Sequence, residues 1–144
     1  MHDLTRAIES EASAGIRRLQ PLRLLLAGND RRFIRVMSFL LAQRGYDVAQ
    51  ASPPDTIEAA ERHRSDVVLL ELGESRVTAW RRVAALQALS TVPSVLVVLD
   101  DGDEAWHGVP AILKWAGIDE LVEAIEAAAL ARPTPFADGE AAQL

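Results

Sequence analysis

Apolar positions along this chain follow two alternating rhythms. Short, mostly apolar runs occupy residues 22–27, 66–72, 94–99 and 109–113, and residues 46–51 read as a further strand. Runs of this kind read as strands covered on both faces. Between them, apolar residues recur three and four apart, which predicts helices over 31–44, 53–63, 76–89 and 118–131. The punctuation agrees. Gly28-Asn29-Asp30 is a turn in which Asn29 or Asp30 can cap a helix, and Gly45 stops that helix. Pro53-Pro54-Asp55 opens the second helix, and Asp119 and Glu120 stand in the first turn of the last. Residues 3–19 also predict a helix, with Leu4, Ile8, Ala12, Gly15, Ile16 and Leu19 near one face and Pro21 ending it. The tail from Arg132 carries two prolines and small polar residues, and is expected to be disordered. The expected division is an N-terminal helical extension (1–20), one α/β domain (21–131) and a tail (132–144).

Strands alternating with helices demand a parallel sheet with helices on both faces. Right-handed crossovers then leave few topologies. Five strands at this spacing suit a flavodoxin-like three-layer sandwich with the sheet order 2-1-3-4-5. The link from Leu99 to Val109 is too short for a full crossover helix, which needs at least about 10 residues plus loops. A shortened or missing fourth helix is therefore expected. Open sheets place their sites at the carboxyl ends of strands. Glu71 emerges there, at the end of the buried run Asp66-Val-Val-Leu-Leu-Glu71.

Composition narrows the chemistry. With 49% apolar and 25% charged residues, the chain has the balance of a soluble globular protein. A net charge of −6, with the arginine pairs dispersed, argues against direct nucleic-acid binding. The absence of cysteine removes disulfides, thiol catalysis and thiolate metal sites. No apolar run reaches the roughly 18 residues of a membrane span. The N-terminus has no apolar signal core, so a cytoplasmic location is the expectation. His2, His63 and His107 share no ligand-like spacing and are expected at the surface, while Trp80 is expected to turn inward. Asp100, Asp101, Asp103 and Glu104 read as a solvated acidic turn rather than a metal loop.

Three local patterns carry a resemblance. They are Leu24-Leu25-Leu26-Ala27-Gly28-Asn29-Asp30, the stretch GYDVAQA (45–51), and AILKW (111–115) followed by DELVEAI (119–125). Across residues 22–130 the chain resembles the receiver domain of two-component response regulators, the CheY-like family. In that family an acidic pair after the first strand holds Mg²⁺, an aspartate ends the third strand as phosphoacceptor, and a lysine ends the fifth. The resemblance places the acidic pair at Gly28 and Asn29, with Asp30 adjacent, the acceptor at Glu71 and the lysine at Lys114.

The departures shape the expected function. Glycine offers Mg²⁺ no side-chain ligand, and asparagine offers only a neutral oxygen. Asp30 is expected to cap the helix and to point away from the site. Glutamate in place of aspartate moves the carboxylate by over about 1 Å, enough to spoil an in-line attack. The family's switch hydroxyl falls on Val98 or Leu99, its aromatic switch on Ala111, and the proline after the lysine is Trp115. The expectation is a degenerate pseudo-receiver with no catalytic residue, no metal and no cofactor. It would act as a phosphorylation-independent module that signals through an unknown protein partner or a homodimer, with no membrane and no direct nucleic-acid contact. No effector domain follows the last predicted helix, so output is expected from another chain. Two alternatives stand beside it: a phosphate-accepting receiver that uses Glu71, and a nucleotide-binding α/β domain, whose first turn lacks Gly-x-Gly-x-x-Gly. Glu71 and Lys114 form either an ion pair that fixes one conformation or a leftover pair at the sheet rim. Trp106 and Trp115 either fill the space of the shortened helix or form an interface.

Overall fold

A computed structural model describes residues 20–71, 73, 75–100 and 108–131. Five parallel strands form one sheet: β1 (Arg23–Ala27), β2 (Asp47–Ala51), β3 (Val67–Glu71), β4 (Ser94–Leu99) and β5 (Ala111–Leu113). Their spatial order is β2-β1-β3-β4-β5, the order expected from the sequence. The helices are α1 (Arg31–Gln43), α2 (Thr56–His63), α3 (Arg76–Gln87) and α4 (Ile118–Leu130), with a 3₁₀ turn at Pro53–Asp55. The architecture is the flavodoxin-like three-layer sandwich.

Side-chain alternation splits the core into two layers. Leu24 and Leu26 of β1, Val67 and Leu69 of β3, and Leu96 and Val98 of β4 pack with Phe33, Ile34 and Leu41 of α1 and Leu121 and Ile125 of α4. The interleaved positions Leu25, Ala27, Val68, Leu70, Val95, Val97 and Leu99 pack with α2 and α3 on the other face. All five residues of β3 are buried, which is why that strand reads as a continuous apolar run. The same parity sets the site. Gly28 continues the Leu24 and Leu26 series, Glu71 continues Val67 and Leu69, and Lys114 follows Ile112, which packs on the same cluster. Three strand ends therefore meet on the α1/α4 face.

Local signals close the elements. The Asp30 carboxylate caps α1 by accepting the Phe33 N–H at 3.0 Å, and the Ser75 hydroxyl caps α3 by accepting the Thr78 N–H. Gly45, at φ +95°, takes the left-handed turn after α1 that other residues adopt only under strain.

Several expectations need correction. β5 spans three residues rather than five, because Pro110 has no N–H to donate and contributes only its carbonyl, to Val97 N–H at 2.9 Å. Trp80 is 40% exposed rather than turned inward. The buried face of α3 is Ala79, Val83 and Leu86, and Trp80 sits one step round from it. His63 is half-buried rather than at the surface, its ring between Ser65 Oγ at 3.1 Å and Asp47 Oδ1 at 3.3 Å. Most of the N-terminal extension, the tail, and residues 101–107 with Trp106 and the expected short helix lie outside the described residues. No helix among the described residues is long and apolar enough to cross a membrane.

Leu69 is 2% exposed at the centre of the sheet. Leu69→Ala should cost about 2–5 kcal/mol in urea unfolding. Val77→Ala, at a residue 61% exposed on α3, should stay within about 0.5 kcal/mol. Equal effects at the two positions would contradict this assignment of the core.

Candidate functional site

Glu71 ends β3 level with Val98 in the sheet register and is 6% exposed. A buried carboxylate needs hydrogen-bond donors. Glu71 Oε1 finds two, accepting the Asn29 N–H at 2.9 Å and the Asp30 N–H at 3.1 Å. Both donors lie in the turn that opens α1, where backbone dipoles favour negative charge.

Gly28 makes this geometry possible. A Cβ on residue 28 would stand 2.5 Å from Glu71 Oε1 and 2.6 Å from Glu71 Cβ. The glutamate occupies the space that a side chain at 28 would need. Gly73 is packed in a similar way, since its Cβ would fall 3.1 Å from Asn29. Asn29 Nδ2 donates to the Gly73 carbonyl at 3.2 Å, tying the turn after β1 to the turn after β3.

Lys114 follows β5, its N–H donating to the Leu99 carbonyl at 2.7 Å. It is 8% exposed. Its Nζ lies 2.6 Å from Asp30 Oδ2, 3.8 Å from Glu71 Oε2 and 3.9 Å from Asp100 Oδ1. The same ammonium sits 5.3 Å from the centroid of Phe33 and 5.7 Å from that of Trp115, within cation–π range. Burial alone would pull the lysine's pKa down. The Asp30 hydrogen bond and the charges of Glu71 and Asp100 outweigh burial and push it up. The Lys114 hydrogen bond in turn holds the Asp30 carboxyl below its ordinary range, helped by the Phe33 N–H.

The structure thus brings Gly28, Asn29, Asp30, Glu71 and Lys114 together. Asp30 departs from expectation: it caps α1 with one oxygen and grips Lys114 with the other, rather than pointing away. Glu71 and Lys114 are both buried, not a solvated rim pair. Their approach is nonetheless long, because the two backbone N–H groups hold Glu71 Oε1 and leave Oε2 at 3.8 Å from the ammonium. Val98 is level with Glu71 on the same face, whereas Leu99 packs in the opposite layer. The resemblance's hydroxyl position therefore falls on Val98, an apolar floor beneath the carboxylate. Ala111 is exposed at the start of β5. Trp115 is 69% exposed, and Trp106 lies outside the described residues. Sequence reasoning missed the part played by Asp100 and Phe33, and missed that Gly28 and Glu71 are sterically one feature. A glycine opposite a lengthened acid was the available signal.

The arrangement does not fit the Mg²⁺ that the resemblance implies. Gly28 supplies no ligand, Glu71 Oε1 is taken by backbone donors, and three carboxylates lie within 4 Å of an ammonium. Among the described residues, no group of three His, Asp or Glu side chains is placed to hold a metal ion.

No protein-family model matches the chain, and no curated protein matches it. Solved structures do. The chemotaxis protein CheY4 of Vibrio cholerae aligns at 16% identity and a TM-score of 0.64, covering 75% of this chain and 98% of that one. The FixJ-N structure aligns at 19% identity and 0.66, covering 81% and 99%. A response regulator receiver protein from Sinorhizobium medicae aligns at 14% identity and 0.66, covering 81% and 100%. The chain has the fold of response regulator receiver domains.

Two predictions follow from this geometry. Gly28→Ala should destabilise the natural chain, and should cost about 0.5–3 kcal/mol less in a Glu71→Asp background. Additive effects in that cycle would dissolve the steric link. Asp30 has its pKa lowered, so its contribution is present above the unfolded value of about 4 and is lost as acid titrates the folded group. Lys114 has its pKa raised, so its contribution is present below about 10.4 and is lost as base titrates the folded group. The stability gap between the natural chain and Asp30→Asn should be level from about pH 5 to 9 and should shrink beyond both ends. A gap that changes steadily across neutral pH would refute the pairing.

Proposed function

We propose that this chain is a receiver-type signalling module that works through protein contact and does not accept a phosphoryl group. One observation carries the reading: Glu71 fills its own acceptor pocket, with one oxygen bound by the Asn29 and Asp30 N–H groups in the space above Gly28. Phosphoryl transfer depends on positioning the acceptor and neutralising the transferred charge. One of the two carboxylate oxygens here, Oε1, is already engaged by backbone donors. The neutralising lysine is held by Asp30 at 2.6 Å. The apolar Val98 stands where the resemblance would place a hydroxyl.

The module is not an enzyme in this reading, and it needs no metal or cofactor. Its partner is a protein, a second copy of the chain included, rather than nucleic acid or membrane. The net charge of −6 supports that choice. The buried charge cluster holds the three strand ends in one arrangement, so the surface above them is presented constitutively.

Incubation of the full chain with acetyl phosphate and Mg²⁺, followed by intact mass measurement, is the direct test. The expected result is an unchanged mass. A stoichiometric gain of one phosphoryl group, abolished in Glu71→Gln, would establish the phosphate-accepting alternative instead.

A further inference from the structure

A cavity of about 280 Å³ opens between α1 and the end of β2, on the side of the helix away from Trp115. It is lined by Arg31, Ile34 and Arg35 of α1, by Gln50 and Ser52 at the end of β2, and by Gly28 after β1. Open α/β sheets bind ligands at this level, outside the carboxyl ends of their strands. Small-molecule sites are concave, with apolar walls and a few convergent polar groups. Here Ile34 is a buried wall, and the polar groups come from two elements. Register puts Gln50 level with Leu26, so it continues Val48 on the α1 face of the sheet. A further apolar residue there would extend the core. An amide stands in its place.

The charge in this cavity has one sign. Arg31 and Arg35 lie one turn apart on α1, so their side chains leave the helix about 5–6 Å apart on one face. Like charges at that spacing repel, and cations in the first turns of a helix oppose its dipole. α1 has no acid in its first turn to offset them. The acid just before them, Asp30, is committed to the Phe33 N–H and to Lys114. Neither guanidinium has an ion-pair or hydrogen-bond partner among the described residues. Arg32 lines the Trp115 side of the helix and takes no part in the cavity.

We propose that this cavity binds a small phosphomonoester, a phosphate dianion carried on a hydroxyl-bearing body such as a sugar or nucleoside. Arg31 and Arg35 hold the phosphate, because guanidinium groups match phosphate oxygens in paired, charge-assisted hydrogen bonds. The other end orients the ligand. Ser52 Oγ donates to Asp55 Oδ2 at 2.8 Å, which leaves its oxygen to accept from a ligand hydroxyl. The Asp55 carboxylate repels phosphate from that end. Gln50 offers both a donor and an acceptor to the body of the ligand. A bare inorganic anion would use the arginines alone. Gly28 joins the cavity to the charge cluster, since it lines the one while Glu71 packs directly against it. The occupant therefore acts as an effector on the turn that Glu71 and Asp30 hold. Its binding is non-covalent, and it stands whether or not Glu71 accepts a phosphoryl group.

Isothermal titration calorimetry on the full chain at low ionic strength tests this, with ribose 5-phosphate, AMP, inorganic phosphate and ribose as separate probes. At least one of the two esters should bind with a Kd of about 1 mM or tighter, and at least about tenfold tighter than inorganic phosphate, while ribose gives no heat of binding. The tighter ester assigns the body as sugar or as nucleoside. Arg31→Ala and Arg35→Ala should each weaken that ester at least about tenfold, and Arg32→Ala should change it by less than about twofold. Gln50→Leu should weaken the ester and leave inorganic phosphate unchanged. Both cavity arginines are exposed and unpaired, so without ligand their alanine variants should melt at or above the Tm of the natural chain. A lower Tm would make the arginines structural supports and overturn the proposal. Inorganic phosphate binding as tightly as both esters would leave an adventitious anion site only, which overturns it as well. So would the lack of saturable binding by either ester, or an equal loss in Arg32→Ala.

Discussion

Two backbone hydrogen bonds to one carboxylate oxygen organise this molecule's upper end. Glu71 Oε1 takes the N–H groups of Asn29 and Asp30, and so joins the tip of β3 to the turn that follows β1. The bonds require Glu71 to lie over residue 28, and that requires residue 28 to have no side chain. Once the turn is set, Asp30 is oriented to cap α1 and to reach Lys114. Lys114 brings in β5, and Asp100 adds a further carboxylate from the end of β4. Four strand ends are thus linked through a single acid.

This changes the meaning of the differences from receiver-type sites. Counted along the sequence, the glycine at 28 and the glutamate at 71 look like two separate losses. In space they form one feature, in which the glutamate at 71 fills the volume that a side chain at 28 would need. The buried lysine is likewise not a stranded remnant. Removing an ammonium from water is costly, and here a short contact to Asp30, two further carboxylates and two aromatic faces offset the cost.

Much of the fold could be read in advance because its signals are local. Apolar runs such as 67–71 record burial on both faces, and the sheet order follows from their alternation with helices. The misjudged details depended on neighbours distant in sequence. The inward or outward turn of Trp80 is decided by which side of α3 meets the sheet. His63 is half-buried because Ser65 and Asp47 close around it. The residues of the site were also visible, since strand ends mark where they must lie. Their pairing was not. Lys114 comes to 2.6 Å from Asp30 and only to 3.8 Å from Glu71, a choice between two acids distant from it in sequence that no spacing rule carries.

The brevity of β5 has a consequence for how the sheet meets the outside. An edge strand offers unpaired backbone groups on which other chains can build, and proteins blunt such edges with short strands, prolines and charge. β5 has only three residues. Lys114 follows it, already drawn inward by carboxylates. Another strand laid along this margin would find too few free groups to hold it. The margin is closed to growth by strand addition, and contacts there must be made by side chains.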